Sequence, residues 1–223
     1  VSAPVRAINS GLALVNPNPP APWFPATEVH VAGGWYPESL TLLTSTTLRG
    51  GFSSDFLSRD AGMWPSVIDG QDIPSSTGLV YIVASSGQDV LLDGFTITGG
   101  YHTVGYGGGI EIVSASPTIT SCTIIGNLSK SRAGFMYGGG GVGMRGTASA
   151  PYFGNCKIIG NSLLQEVSTA GGAGVNIREA SPTFENCIIA ENVALVGGLG
   201  LGVNCYASAK PTFINSVIAG NTG

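Results

Sequence analysis

The chain has 223 residues, of which 43% are hydrophobic and 10% are charged, and its formal net charge is −4 at pH 7. This composition can bury a continuous core, so it excludes a disordered chain. The acidic balance argues against a nucleic-acid partner, which needs a basic face. No run of 18 uncharged apolar residues is present, so we expect no membrane span.

The first thirty residues differ from the rest of the chain. Apolar residues at helical spacing predict a short amphipathic helix over 5–15. The Pro-rich segment 16–25 that follows is predicted to be irregular. We interpret 1–30 as an N-terminal cap with a Pro-rich segment, and 31–223 as one β-domain. The helix would cover the apolar end of that domain.

Short apolar segments bounded by Gly, Asn and Pro follow in chain order, and their alternation predicts strands. They are Glu28–Ala32, Leu40–Leu43, Thr46–Arg49, Val67–Gly70, Val80–Val83 and Val90–Gly100. Later in the chain, Gly-rich stretches precede further short strands such as Ile110–Ile112 and Val142–Met144. We expect two or three short strands in each structural unit.

The second half of the chain repeats one segment four times. Each copy begins with Pro and ends with Asn ten positions later: 117–127, 151–161, 182–192 and 211–221. The Pro positions differ by 34, 31 and 29 residues. A unit that keeps its strand register while its total length varies is one coil of a solenoid with loops of variable length.

Two columns of side chains follow from this alignment. The terminal asparagines are expected to form an amide ladder from coil to coil: Asn127, Asn161, Asn192 and Asn221. Three cysteines share another position and are expected to stack inward: Cys122, Cys156 and Cys187. The spacing between coils is compatible with a disulfide, but we favour free thiols. The sequence contains no CxxC pair, so it predicts no zinc site.

The segments Leu92–Gly100 and Asn155–Asn161 resemble the repeats of right-handed parallel β-helices of the pectate-lyase type. Such repeats occur in many secreted and surface proteins, including polymorphic outer-membrane autotransporter-like proteins. The resemblance covers residues 26–223 and implies an all-β fold, a right-handed parallel β-helix with a short N-terminal capping helix. It also implies an extracellular or cell-surface location. The family includes lyases, hydrolases, adhesins and structural fibres, so the resemblance implies no particular reaction.

One possible catalytic column contains Arg49, Asp69 and Asp93, because each follows an apolar residue and precedes Gly. In successive coils the two carboxylates would stack at about 5 Å, which suits a Ca²⁺ site or a glycosidase pair. The alternative is a surface ladder in which Arg49 neutralises Asp69, worth at most about 1 kcal/mol. We favour the ladder, since the later positions of the column do not continue an acidic face: Thr120, Gly154, Glu185 and Ile214.

The remaining candidates are two histidines and two arginines. His30 and His102 have no catalytic motif around them, and we interpret them as ordinary surface or hydrogen-bonded residues. Arg145 and Arg178 align in adjacent coils and could either bind an anionic sugar or remain solvated.

The sequence as a whole favours a non-enzymatic extracellular or surface structural protein. Nothing after Asn221 predicts a cap, so either the chain is cut from a longer protein or another subunit covers that end. We favour copies that stack head-to-tail into a filament or surface layer. The alternatives are a carbohydrate-active enzyme or polysaccharide-binding module centred on Asp69 and Asp93, with Ca²⁺ as the one possible cofactor, and a passenger fragment of an adhesin.

Overall fold

The computed structural model describes residues 7–15, 27–42, 46–83, 90–104, 106–131, 138–165, 171–195 and 201–223. Val5 and the Pro-rich segment 16–25, about which the sequence made predictions, lie outside these residues. The described chain winds as a parallel β-solenoid, and the predicted right-handed β-helix fold with one short N-terminal helix is confirmed.

The strands form four parallel sheets, and each coil contributes at most one strand to each sheet. Sheet A contains β1 (Thr27–Ala32), β4 (Thr46–Phe52), β8 (Val90–Asp93), β12 (Thr118–Thr120), β16 (Tyr152–Gly154), β20 (Thr183–Glu185) and β24 (Thr212–Ile214). Sheet B contains β2 (Gly34–Tyr36), β5 (Ser66–Asp69), β9 (Phe95–Thr98), β13 (Thr123–Ile125), β17 (Lys157–Ile159), β21 (Ile188–Ala190) and β25 (Val217–Ala219).

The other two sheets complete each coil. Sheet C contains β3 (Leu40–Leu42), β7 (Val80–Val83), β11 (Ile110–Val113), β15 (Val142–Arg145), β19 (Val175–Arg178) and β23 (Val203–Tyr206). Sheet D contains β6 (Pro74–Ser75), β10 (Tyr101–His102), β14 (Leu128–Ser131), β18 (Ser162–Gln165) and β22 (Val193–Ala194). The chain therefore visits the sheets in the order A, B, D, C.

A complete coil has four strands, so the predicted number of two or three was wrong. The strands of sheet D account for the difference: β6, β10 and β22 have two residues each, too few to show an alternating pattern. The corner between sheets A and B is a single left-handed residue, with φ of 50° at Ser121 and 54° at Asn155. Asn accepts this conformation more readily than most residues, which accounts for the polar position just before each cysteine.

The core consists of inward-facing columns in which each apolar residue lies on its counterpart in the next coil. In sheet A, Ile119, Phe153 and Phe184 are fully buried and adjacent in register. The Phe153 and Phe184 rings stack with centroids 4.7 Å apart. In sheet B the equivalent column is Ile124 followed by Ile158. Burial of each such side chain contributes about 1.5–3 kcal/mol to folding.

Helix α1 (Ile8–Val15) packs on the first coil. Ile8 and Leu12 are 2% and 8% exposed and join the hydrophobic core of the solenoid. The Glu38 carboxylate accepts hydrogen bonds from the backbone N–H of Ile8 at 2.6 Å and of Asn9 at 2.9 Å. A carboxylate in this place satisfies free N–H groups and complements the helix dipole. Within the described ranges, no helix is long and apolar enough to cross a membrane.

The division at residue 30/31 between cap and β-domain stays a prediction, although strand β1 already begins at Thr27.

Candidate functional site

The structure separates the three members of the predicted column. Arg49 in β4 lies opposite Asp93 in β8, and both belong to sheet A. Asp69 lies in β5 of sheet B, opposite Thr98. The prediction that Asp69 shares the column was therefore wrong. The three-residue pattern of apolar residue, polar residue and Gly occurs at the ends of strands in both sheets, so it does not identify the sheet.

The carboxylate of Asp93 is held by two guanidinium groups and a hydroxyl. Arg49 Nη1 lies 3.1 Å and Arg59 Nη2 2.7 Å from Asp93 Oδ2, and Thr120 Oγ1 donates to Oδ1 at 2.9 Å. Arg49 also pairs with Glu28, at 2.8 Å. Arg59 belongs to the excursion 53–65 and donates through Nε to the Gly50 carbonyl at 2.9 Å. Asp93 therefore ties neighbouring coils to the excursion, and its oxygen atoms are occupied.

Asp69 has a local role at a corner. Trp35 Nε1 donates to its Oδ2 at 2.6 Å, and the backbone N–H of Gln71 donates to its Oδ1 at 2.7 Å. Because Asp69 and Asp93 lie in different sheets, they do not form one two-carboxylate site for Ca²⁺ or for glycoside hydrolysis. Among the residues that the structure describes, no group of three or more His, Cys, Asp or Glu side chains could hold a metal ion.

The four asparagines form a continuous amide ladder at the corner between sheets B and D. Asn127 Nδ2 donates to Asn161 Oδ1 at 3.0 Å, Asn161 Nδ2 to Asn192 Oδ1 at 3.0 Å, and Asn192 Nδ2 to Asn221 Oδ1 at 2.8 Å. Each amide oxygen also accepts a backbone N–H of the preceding coil, which for Asn127 is that of Gly100. The first three side chains are at most 1% exposed, so the ladder is structural.

The three stacked cysteines are free and buried. Each thiol points to a backbone carbonyl of the preceding coil, as Cys156 Sγ does to Ile119 O at 3.4 Å. Ser216 takes the same position in the last coil, and its Oγ donates to Phe184 O at 3.1 Å. Because a thiol and a hydroxyl can both donate this hydrogen bond, Cys and Ser can occupy the same position in the repeat. Burial raises the pKa of the Cys122 thiol to about 12, so this thiol is a poor nucleophile.

Sequence reasoning missed a cleft on the outward face of sheet C. It has a volume of about 340 Å³. The lining residues are Ser76, Thr77, Tyr81, His102, Val104, Tyr106, Glu111 and Arg145. Tyr81, Glu111 and Gly143 lie opposite one another in β7, β11 and β15.

Two buried titratable side chains meet in this cleft. The side chains of Glu111 and His102 are 4% and 2% exposed. Glu111 Oε2 accepts the Gly78 N–H at 3.1 Å, and His102 Nε2 lies 2.9 Å from the Ser76 carbonyl oxygen. Burial raises the pKa of Glu111 and lowers the pKa of His102. Burial therefore favours the neutral form of each group.

Arg145 supplies the positive charge of the cleft. Its guanidinium carbon lies 4.2 Å from the centre of the Tyr106 ring, a cation–π geometry. Its Nη2 is 3.9 Å from Glu111 Oε1, too far for a hydrogen bond. Gly143 permits this arrangement, because a Cβ there would collide with the backbone oxygen of Tyr106. The chain near Tyr106 can therefore cross the outside of strand β15.

The sequence contained part of this signal. Glu111 is the polar residue of an apolar strand, and Arg145 was already a candidate. His102 is buried, and its Nε2 lies 3.7 Å from Glu111 Oε2. The sequence predicted a surface or a hydrogen-bonded histidine at this position, and the structure shows a hydrogen-bonded one. Arg178 lies beside Arg145 in register but does not line the cleft.

A parallel solenoid with stacked amide and thiol columns defines the β-helix class of repeat proteins. The family model described as "Right handed beta helix region" matches residues 68–223. The chain belongs to this family. Searches of curated proteins and of solved structures each found no significant match.

Proposed function

We propose that the chain is a non-enzymatic structural β-helix protein, extracellular or on the cell surface, and that the 223-residue chain associates with copies of itself through the coil formed by β24 and β25. The observation that carries the proposal is the apolar face of that coil. Phe213 and Ile218 are 37% and 46% exposed, whereas Phe184 and Ile189 directly beneath them are fully buried. Phe213 stacks on Phe184 at 5.1 Å, so this face repeats the packing of the core.

Backbone pairing adds to the apolar attraction of this face. Strands β24 and β25 each pair with the preceding coil on one side. Among the described residues no strand pairs with their other edges, and such edges are templates for pairing with a further chain. A second copy of the protein offers an apolar surface of the same size together with such an edge.

The two ends of the solenoid differ, and this decides between modes of association. Helix α1 covers the first coil, where Leu40 and Leu42 are each 1% exposed. A head-to-tail contact, as expected from the sequence, requires α1 to move aside. A contact between two last coils requires no such movement and gives a closed pair. Head-to-tail contacts instead give assemblies that grow with concentration.

The non-enzymatic part of the proposal is supported by the positions of the two aspartates. An enzyme centred on Asp69 and Asp93 needs both carboxylates at one site, and they lie in different sheets. Asp93 is also occupied by Arg49 and Arg59. The alternative of polysaccharide cleavage by this pair therefore has no geometric support.

The test is the mass of the 223-residue chain in solution over a wide concentration range, by light scattering, with electron microscopy of the same samples. We expect the parent chain to associate and Ile218→Lys to remain monomeric, because a charge in the apolar face opposes its burial. Leu57→Lys is the matched control, since Leu57 is 85% exposed and lies in the excursion 53–65. A parent chain that stays monomeric at high concentration would overturn the proposal, as would equal association of Ile218→Lys.

The proposed location is tested separately in the source cells. A membrane-impermeant amine label applied to intact cells should modify the protein, while cytoplasmic control proteins stay unmodified. Protection of the protein until the cells are broken would contradict an extracellular or surface location. The same preparation gives the length of the native polypeptide, and a much longer polypeptide would favour the adhesin-passenger alternative.

A further inference from the structure

We propose that the cleft formed by Tyr81, Tyr106, Glu111 and Arg145 binds a small hydroxycarboxylate, and that Glu111 is protonated in the bound state. This proposal goes beyond the structural role and does not depend on it. The ligand carboxylate would contact the Arg145 guanidinium, and its hydroxyl groups would contact the hydroxyl-bearing side chains of the lining.

The first argument is the incomplete bonding of Arg145. Its Nε is buried and has no hydrogen-bond partner within the described part of the chain. Its Nη2 is 3.9 Å from the nearest Glu111 oxygen, beyond hydrogen-bond range. The side chain as a whole is 37% exposed, so a ligand can reach its exposed part, while the buried Nε stays covered by protein. Packing on the Tyr106 ring fixes the plane of the guanidinium, and a planar fork of donors matches a carboxylate.

The second argument is the charge of the groups that face Glu111. His102 faces it from β10, Tyr81 from β7, Arg145 from β15, and Tyr106 from the segment before β11. Among the described residues of the lining, Glu111 is the one carboxylate and Arg145 is the one side chain that is permanently charged. With Glu111 ionised, the two charges cancel. With Glu111 protonated, the cleft carries one positive charge, which suits a monoanion.

The burial of Glu111 makes the protonated state accessible. Burial in the cleft raises the pKa of this carboxyl, so a larger fraction is protonated at mildly acidic pH than for an exposed glutamate. A bound carboxylate next to Glu111 raises that pKa further, because like charges at short range repel. Binding should therefore take up a proton, and affinity should rise as the pH falls.

Size and composition narrow the ligand class. A volume of about 340 Å³ lies near the lower end for small-molecule sites. Ser76, Thr77 and Tyr81 bring hydroxyl groups to the lining, which can bond to hydroxyls of the ligand. A divalent cation is disfavoured, since it prefers several carboxylates and the described part of the lining has one, beside a guanidinium. A hydroxylated monocarboxylate satisfies both the charge and the polar groups.

The experiment is isothermal titration calorimetry of the intact chain with gluconate, and with sorbitol as the uncharged analogue of the same carbon skeleton. Titrations in two buffers of different ionisation enthalpy, between about pH 5 and pH 8, measure proton uptake. We expect gluconate to bind with uptake of up to one proton and with affinity that falls as the pH rises. Sorbitol should bind at least about tenfold more weakly, because it cannot use the guanidinium.

Three variants separate the roles of the residues. Arg145→Gln should lose at least about tenfold in gluconate affinity, while Arg178→Gln, the matched control one coil further on, should bind as the parent does. Glu111→Gln imitates the protonated carboxyl, so it should retain binding but lose both the proton uptake and the acidic pH dependence. Circular dichroism melting of each variant excludes unfolding as the cause.

The proposal is overturned if gluconate does not bind at any pH, if sorbitol binds equally well, or if Glu111→Gln still takes up a proton on binding. A carboxylate can also come from a uronate residue within a saccharide chain, so a glucuronate-containing oligosaccharide forms a second arm. Tighter binding of the oligosaccharide than of gluconate assigns the carboxylate to a polymer, and the reverse order assigns it to a free acid. Both orders support the carboxylate site.

Discussion

The asparagine ladder and the sheet C cleft are both buried polar sites, but they differ in how completely their groups are bonded. In the ladder, each of the first three amides donates to the next asparagine and accepts from the coil before it. In the cleft, Arg145 Nε has no hydrogen-bond partner among the described residues, and Arg145 Nη2 lies 3.9 Å from Glu111 Oε1. A fully bonded network specifies structure, whereas unused donors keep a capacity to bind.

The difference arises because some segments have the same length in every coil and other segments vary in length. The ladder is built from segments of constant length, so each amide meets the next in the same geometry. The cleft is built around His102, at the end of strand β10 in sheet D, and Tyr106, in the connection between sheets D and C, where the coils vary in length. An irregular connection cannot repeat one hydrogen-bonding pattern from coil to coil, so the groups beneath it differ in how many of their hydrogen bonds are made.

The largest expected effect is on the ladder. Asn161→Ala removes the amide that bonds both neighbouring asparagines and leaves buried backbone groups without partners. We expect a loss of about 2–4 kcal/mol in the free energy of unfolding, measured by urea denaturation. Asn221→Ala is the control: Asn221 bonds one asparagine of the ladder, Asn192, where Asn161 bonds two, and it is partly exposed, so the loss should be about 1 kcal/mol. Equal losses would show that the ladder is not cooperative.

The ladder could be predicted from sequence because its signal is local. The interval between Pro117 and Asn127 recurs unchanged in every later coil, and parallel stacking converts a constant interval into a column. Parallel stacking aligns the inward positions in the same way: the structure pairs Ile119 with Leu92 and Ile124 with Ile97.

The position of Asp69 could not be predicted because its alignment depended on three residues next to a long connection. The excursion 53–65 separates strands β4 and β5 within one coil, and from sequence it resembled a passage to the next coil. The cleft was missed for a related reason: no repeat indicates which loop crosses a sheet, so the burial of Glu111 under the chain near Tyr106 is a tertiary property.

The second prediction compares the two aspartates that the sequence placed together. Asp93→Ala removes the partner of two guanidinium groups and a hydroxyl, with an expected loss of about 1.5–3 kcal/mol. Asp69→Ala removes bonds at an exposed corner and should cost about 0.5–1.5 kcal/mol. Urea denaturation of both variants gives the difference. A larger loss at Asp69 would contradict the assignment of Asp93 as the residue that ties neighbouring coils together.

The third prediction concerns the pH dependence of stability in the cleft. The folded-state pKa of Glu111 is raised by burial, so its contribution to stability is complete below the unfolded-state pKa and is lost as the pH rises through the folded-state pKa. Glu111→Gln should remove this loss and therefore stabilise the fold above that range, by about 1 kcal/mol or less. Melting temperatures of parent and variant, measured from acidic to neutral pH, provide the test.

His102 provides the internal control for that measurement. Its folded-state pKa is lowered by burial, so its contribution is present above the unfolded-state pKa and is lost as the pH falls through the folded-state pKa. The sign is opposite to that of Glu111. Glu111→Gln should leave the loss of stability at low pH in place. If Glu111→Gln instead abolishes the loss of stability at low pH, the two groups titrate as a single pair.

The smallest expected effect is at the cysteine column, a second fully bonded ladder. Cys156→Ser should change the free energy of unfolding by about 1 kcal/mol or less, because Ser216 already makes the equivalent bond to Phe184 O. The free thiols add a sharper measurement. Cys205 is exposed, whereas Cys122, Cys156 and Cys187 are buried, so a thiol reagent should modify one cysteine of the native chain rapidly and all four after denaturation. Rapid modification of a second thiol would mean that the cysteine column opens readily. The column would then resemble the incompletely bonded cleft and not the fully bonded asparagine ladder.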